Sequence, residues 1–210
     1  MHKTLMFSLM VAVLFCFAIP LSASECSTCH QAKGVRPADP PAAPIAIRDG
    51  GRTETITLAE AFRFHGHECP GMTTTFLALQ YGLKLLFGGE TPDRKDLMIV
   101  SRTPVDGGLD MIDLLMFGKN RKARTSPPEG MQPGRDKFGY TIYRKSNGTA
   151  VDVQLKPEHF PGDFYQYKKK QSQKALSEQE WQVLHGYMKD IIVKFPKMSP
   201  ESLFGKPGPY

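Results

Sequence analysis

The chain has 210 residues, 40% of them hydrophobic and 23% charged, with a formal net charge of +6. That length suits one domain with a core of its own plus a tail or two, rather than several domains. The charge excess is mild and spread over many positions, so no nucleic-acid partner is expected, and the clusters KNRKAR and YKKKQSQK are read as solvated faces.

In chain order, the first element is a leader. MHKTLMFSLMVAVLFCFAIPLSAS carries Lys3 near its head, an apolar run from Leu5 to Ile19, and small residues at Ser22, Ala23 and Ser24. This is the pattern of a secretory signal peptide over residues 1–24. The apolar run is short of the ~20 residues that span a bilayer, so no permanent membrane span is expected after cleavage. The expected location is periplasmic or secreted. Glu25, directly before Cys26, argues against a lipoprotein signal. Removing the leader takes Lys3 and Cys16 with it, leaving a charge of +5 and three cysteines, Cys26, Cys29 and Cys69. An odd count does not make a pure disulfide framework.

Residues 25–52 form the second segment. CSTCH, Cys26 to His30, is the C-x-x-C-H pattern of c-type haem attachment. Cys26 and Cys29 would each form a thioether to one covalent haem, and His30 would ligate its iron from the proximal side. The sixth ligand stays open among His65, His67, His159, His185 and a Met. A haem there exchanges single electrons with a redox partner protein in the periplasm. A disulfide, a thiol redox pair or half of a zinc site are the competing uses of Cys26 and Cys29. VRPADPPAAP reads as an extended Pro-rich linker, too short to wrap a haem as a full cytochrome c domain does.

The main domain is expected over residues 53–196. Thr57 and Glu60 form a capping box for a helix that Gly66 ends. Pro70 opens a longer helix, with Cys69 at its N-cap, Met72, Phe76, Leu79, Leu83 and Leu86 on its apolar side, and Thr73, Gln80 and Lys84 on a wetter side. Gly88-Gly89 stops it. DLMIVSRTP reads as a buried strand and DGGLDMIDLLMFGKN as a turn and a short helix. Two alternating runs about Asn147-Gly148 read as a β-hairpin. Ser177 and Glu180 cap a last helix whose core face carries Trp181, Leu184, Met188, Ile191, Ile192 and Phe195, with His185 beside it as a structural residue. Residues 197–210 read as a Pro/Gly-rich tail. This order is not a regular β-α alternation, so the fold class is α+β, an antiparallel or mixed sheet packed by helices.

FHGHECPG followed by a long apolar helix resembles the core domain of the FmdE family of formylmethanofuran dehydrogenase proteins. DGGLDMIDLLMFGKN is similar to that family's second block, and YTIYRKSNGTAVDV to the hairpin that follows. The resemblance covers Thr57 to Gln154. It implies an α+β core with a bound divalent metal, zinc first, near the His/Cys motif, with His65, His67 and Cys69 as candidate ligands and Asp110 matching the second block. Two departures stand out. Gly107 occupies the place where the family often has a Cys, and no cysteine follows Cys69, so the Cys-rich zinc finger of some members has no counterpart. In the complex that names the family, formyl chemistry is associated with other subunits.

The cluster itself admits three readings. Two imidazoles and a thiolate suit zinc, iron, nickel or copper, with a fourth ligand from Asp106, Asp110, His159 or water. A thiol at a helix N-terminus beside a His is alternatively a reactive nucleophile. A Gly-bracketed turn with a buried Cys is the structural alternative. The sequence contains no complete acid/base or nucleophilic constellation. An enzyme, if it is one, would be a metal- or haem-dependent oxidoreductase; a metal or small-ligand binding module without haem competes with the redox protein. Self-association as a homodimer stays open.

Overall fold

A computed structural model describes residues 42–119, 130–131 and 133–208. The leader, Cys26, Cys29 and His30 lie outside the described residues, as does nearly all of KNRKAR. β1 (Ile45–Asp49) and β2 (Arg52–Ile56) pair antiparallel, from Ile45↔Ile56 to Asp49↔Arg52. Gly50 and Gly51 turn between them at φ +55° and +84°, both in the left-handed region that a type I′ hairpin turn needs. Ile45, Ile47 and Ile56 are buried. β1 therefore lies within the segment read as linker, ahead of residue 53.

α1 (Leu58–His65) starts at the expected capping box. The Thr57 hydroxyl accepts from the Glu60 N–H (3.1 Å) and the Glu60 carboxylate accepts from the Thr57 N–H (3.0 Å). α2 (Pro70–Phe87) is the axis of the molecule, buried continuously from Gly71 to Leu79. The wetter side expected of it is wrong at Thr73, which is fully buried. The Thr73, Thr74 and Thr75 hydroxyls donate to the carbonyls of Cys69, Pro70 and Gly71, so three polar side chains enter the core already satisfied.

β3 (Leu97–Ser101), β4 (Gly139–Arg144) and β5 (Thr149–Gln154) form one antiparallel sheet in that order. The expected hairpin turns at Asn147-Gly148, where the Asn147 side-chain oxygen accepts from the Thr149 N–H (3.1 Å). Tyr140, Ile142, Val151 and Val153 are buried, with α2 packed against β4 and β5. β3 is not the buried strand expected of it. Leu97 is buried, but Met98 and Val100 stand 46% and 47% exposed, because only one face of the sheet is covered. α3 (Asp106–Phe117) packs on α1 and α2. The fold is α+β, an antiparallel sheet packed by helices.

The basic run YKKKQSQK lies, but for Gln173 and Lys174, in a helix, α4 (Phe164–Ser172), that packs on α5 (Glu178–Lys194). α5 starts at its capping box and buries Leu184, Met188, Ile191 and Ile192. The segment read as a tail contributes to the core. Ser199 caps α6 (Pro200–Phe204), Leu203 and Phe204 are buried, and Phe204 stacks on Tyr81 with ring centroids 6.1 Å apart. Two apolar residues in a Pro/Gly-rich stretch show no periodicity, so sequence alone hides their packing. Among the described residues no helix is long and apolar enough to cross a membrane.

Candidate metal centre

The corner between α1 and α2 is built by local devices. Gly66 leaves α1 in the left-handed conformation (φ +102°) and its N–H closes on the Phe62 carbonyl at 2.8 Å. The chain turns through His67 and Glu68 into Cys69, extended at the α2 N-cap, and Pro70 takes the first helical position, where its missing N–H leaves nothing unsatisfied. Glu68 is desolvated, which pushes its carboxyl above the usual range.

One ligand atom from each of His65, His67 and Cys69 lies within 4.8 Å of the others. Donors roughly 2.0–2.3 Å from a tetrahedral zinc ion stand about 3.3–3.8 Å apart, so small side-chain movements close this set around one ion. Cys69 and His65 are buried, His67 is half-buried, and the two imidazole centroids are 4.4 Å apart.

Asp110, expected as a metal ligand, sits one residue further out. Its Oδ2 lies 2.8 Å from Nδ1 of His65, with both side chains excluded from solvent. With the Nδ1 proton donated to that carboxylate, Nε2 is the His65 atom left to face an ion. A carboxylate behind a metal-binding imidazole fixes its tautomer and ring plane and raises its basicity. α3 delivers Asp110 because its first turn runs hard against α2. A Cβ at Gly107 would lie 2.9 Å from the Met72 backbone nitrogen, 2.8 Å from the Cys69 sulfur and 3.5 Å from His65 Nε2. Only glycine permits that approach, which brings the α3 backbone against the sulfur and the Met72 backbone nitrogen. The donor set and the buried carboxylate behind it together fit a divalent ion.

Other sequence candidates are engaged elsewhere. His159 Nε2 is 2.9 Å from the Ser202 carbonyl oxygen, and His185 stacks on Trp181. Asp106, half-buried in the first turn of α3, is on the lining of a cavity of about 830 Å³ that also touches Cys69 and Gly107. Its far wall is aromatic. Phe160 packs against Phe138, Phe164 and Tyr165 with centroids 5.0, 5.3 and 5.4 Å away. None of these four was picked out by sequence reasoning; an aromatic excess between Phe138 and Tyr165 is the only signal they leave. Burial pushes the Tyr165 phenol well above its ordinary range, and its hydroxyl is buried with no hydrogen-bond partner among the described residues. Behind this wall Tyr140 is fully buried, its hydroxyl 2.6 Å from Thr75 Oγ1, and its pKa is pushed up to about 12.

Residues 64–205 match the family model described as FmdE, Molybdenum formylmethanofuran dehydrogenase operon. The match takes in the whole corner, the aromatic wall and α6. No curated protein matches the chain.

Proposed function

The chain belongs to the FmdE family, and on that premise we propose an exported redox protein that holds a divalent metal on this domain and a covalent haem c ahead of it. The metal ligands are His65 through Nε2, His67, and Cys69 as thiolate. Asp110 positions His65, and the positive end of the α2 dipole lies beside the sulfur. The observation that carries the metal reading is the convergence of these three donors with a buried carboxylate behind one of them. A bound ion with three protein ligands supplies a Lewis-acidic, exchangeable fourth position.

The haem reading is supported by the leader followed directly by CSTCH, since haem attachment to such a motif takes place after export. Cys26 and Cys29 are the thioether anchors and His30 the proximal ligand. The haem passes one electron at a time to or from a periplasmic partner protein. Zinc is redox-inactive, so with zinc the domain binds or polarises a ligand, and only iron, nickel or copper would let it accept an electron from the haem.

The test is a pyridine haemochrome spectrum with elemental analysis on one sample from a haem-maturing host. The expected result is one covalent haem and one further metal per chain. Absence of covalent haem overturns the redox reading and leaves a metal-binding module with Cys26 and Cys29 as a disulfide or thiol pair. Absence of the second metal overturns the reading of the corner.

A further inference from the structure

The cavity in front of Cys69 extends well beyond the residues that hold the metal. We infer that it is the chamber for a small organic ligand that reaches the metal's fourth position, a carboxylate with an apolar body. This rests on the metal reading above and adds the occupant.

Four observations lead there. The cavity touches the cluster at Cys69, beside Gly107, whose backbone any side chain would hold away from the sulfur. Its volume, about 830 Å³, falls within the range of small-molecule sites. The wall opposite the cluster is Phe138, Phe160 and Phe164 with Met188, which favours an apolar body. Tyr165 is on the same lining, and its hydroxyl is buried with no hydrogen-bond partner among the described residues.

Charge selects the head group. A divalent ion held by one thiolate and two neutral imidazoles keeps a net positive charge. The N-termini of α2 and α3 both reach the cavity, and neither N-cap residue, Cys69 or Val105, makes a side-chain cap hydrogen bond. Helix N-termini favour anions, and Lys168 and Lys169 stand on the lining as well. Asp106 on the lining and Asp110 behind His65 are the opposing charges. A carboxylate satisfies the ion and the helix ends together, while its apolar body takes the aromatic wall.

The test is calorimetric titration of the full-length protein, zinc-loaded and metal-stripped, with acetate, benzoate and 4-phenylbutyrate. The zinc-loaded protein is expected to bind phenylbutyrate at least about tenfold more tightly than acetate, because burying a phenyl group is worth that much or more. Stripping zinc should weaken every carboxylate. Phe164→Ala should erase most of the phenylbutyrate preference. Phe164 is also a core residue, so Lys169→Ala, at an exposed position, is the second variant, expected to weaken all three carboxylates about two- to fivefold. Asp106→Asn should tighten them and leave zinc affinity unchanged. A protein that binds no zinc overturns the metal reading and this one with it. Zinc bound but carboxylate affinity indifferent to it, or acetate and phenylbutyrate bound alike, overturns the chamber alone. Zinc affinity lowered about tenfold or more by Asp106→Asn would make Asp106 the fourth ligand and overturn the open position.

Discussion

On one side of the cavity, Cys69 belongs to a donor set drawn from five consecutive residues, 65 to 69, held by a left-handed glycine and a helix-opening proline. On the other, Phe138, Phe160, Phe164, Tyr165 and Met188 come from a loop before β4, a turn after β5, and α4 and α5. The corner's three donors come from one short segment shaped by local signals, and tertiary packing adds Asp110 and the close approach at Gly107. The aromatic wall exists only when the sheet, α4 and α5 have docked. Chemistry is therefore set locally, and the shape of what can approach it is set by the fold. Changes on one side should leave the other side's property intact.

The sharpest way to break that separation is Cys69→Ala. Elemental analysis is expected to show metal falling from one per chain to background, while the metal-free variant still unfolds in a single cooperative transition. Full metal occupancy would remove the corner from consideration. Phe160→Ala should do the reverse. It deletes a buried ring at the centre of the wall and is expected to cost about 3–5 kcal/mol in urea unfolding, with metal affinity unchanged. A parallel loss of metal would mean that the corner depends on the wall.

The Thr75–Tyr140 contact joins the two regions, α2 to β4, and can be read by pH. Burial keeps the Tyr140 phenol protonated up to about 12, whereas in the unfolded chain it ionises near ~10. Its contribution to stability is full below the unfolded pKa and declines as pH rises from there to about 12, by about 2–3 kcal/mol. Urea midpoints on either side of that window should show the decline, and Tyr140→Phe should flatten it; an unchanged slope in the variant would assign the alkaline loss elsewhere. The smallest effect is Asp110→Asn, which keeps the volume but removes the carboxylate from His65. A competitive chelator titration should show metal affinity falling about 10- to 100-fold with occupancy still reachable. No change would mean that His65 needs no fixed tautomer.

Much of the corner was legible in advance. The capping box at Thr57, the break at Gly66 and the start at Pro70 are signals carried by adjacent residues, and they place His65, His67 and Cys69 together without reference to the rest of the chain. The hairpin at Asn147-Gly148 and the capped α5 were legible for the same reason. The β1–β2 hairpin carried an equally local signal in its Gly-Gly turn, but the Pro-rich residues before it suggested a linker. Thr73 was misplaced because its residue type says polar, while its hydroxyl is satisfied within its own helix. The β3 residues Met98 and Val100 read as buried because an apolar run does not reveal which face of a sheet is covered.

The sequence by itself determined the α+β class, the elements α1, α2, β3, α3, the β4–β5 hairpin and α5, and the gathering of His65, His67 and Cys69 at one corner, because each depends on neighbours within one or two turns of chain. It also raises the haem motif at Cys26, Cys29 and His30, for which the haemochrome spectrum is the measure. Only the tertiary structure decided that Asp110 stands behind His65, that Gly107 lets α3 press against the cluster, that an aromatic cavity reaches Cys69, and that Leu203 and Phe204 belong to the core. Those are contacts between residues tens of positions apart, and side-chain volume, which fixes them, has no signature in local periodicity.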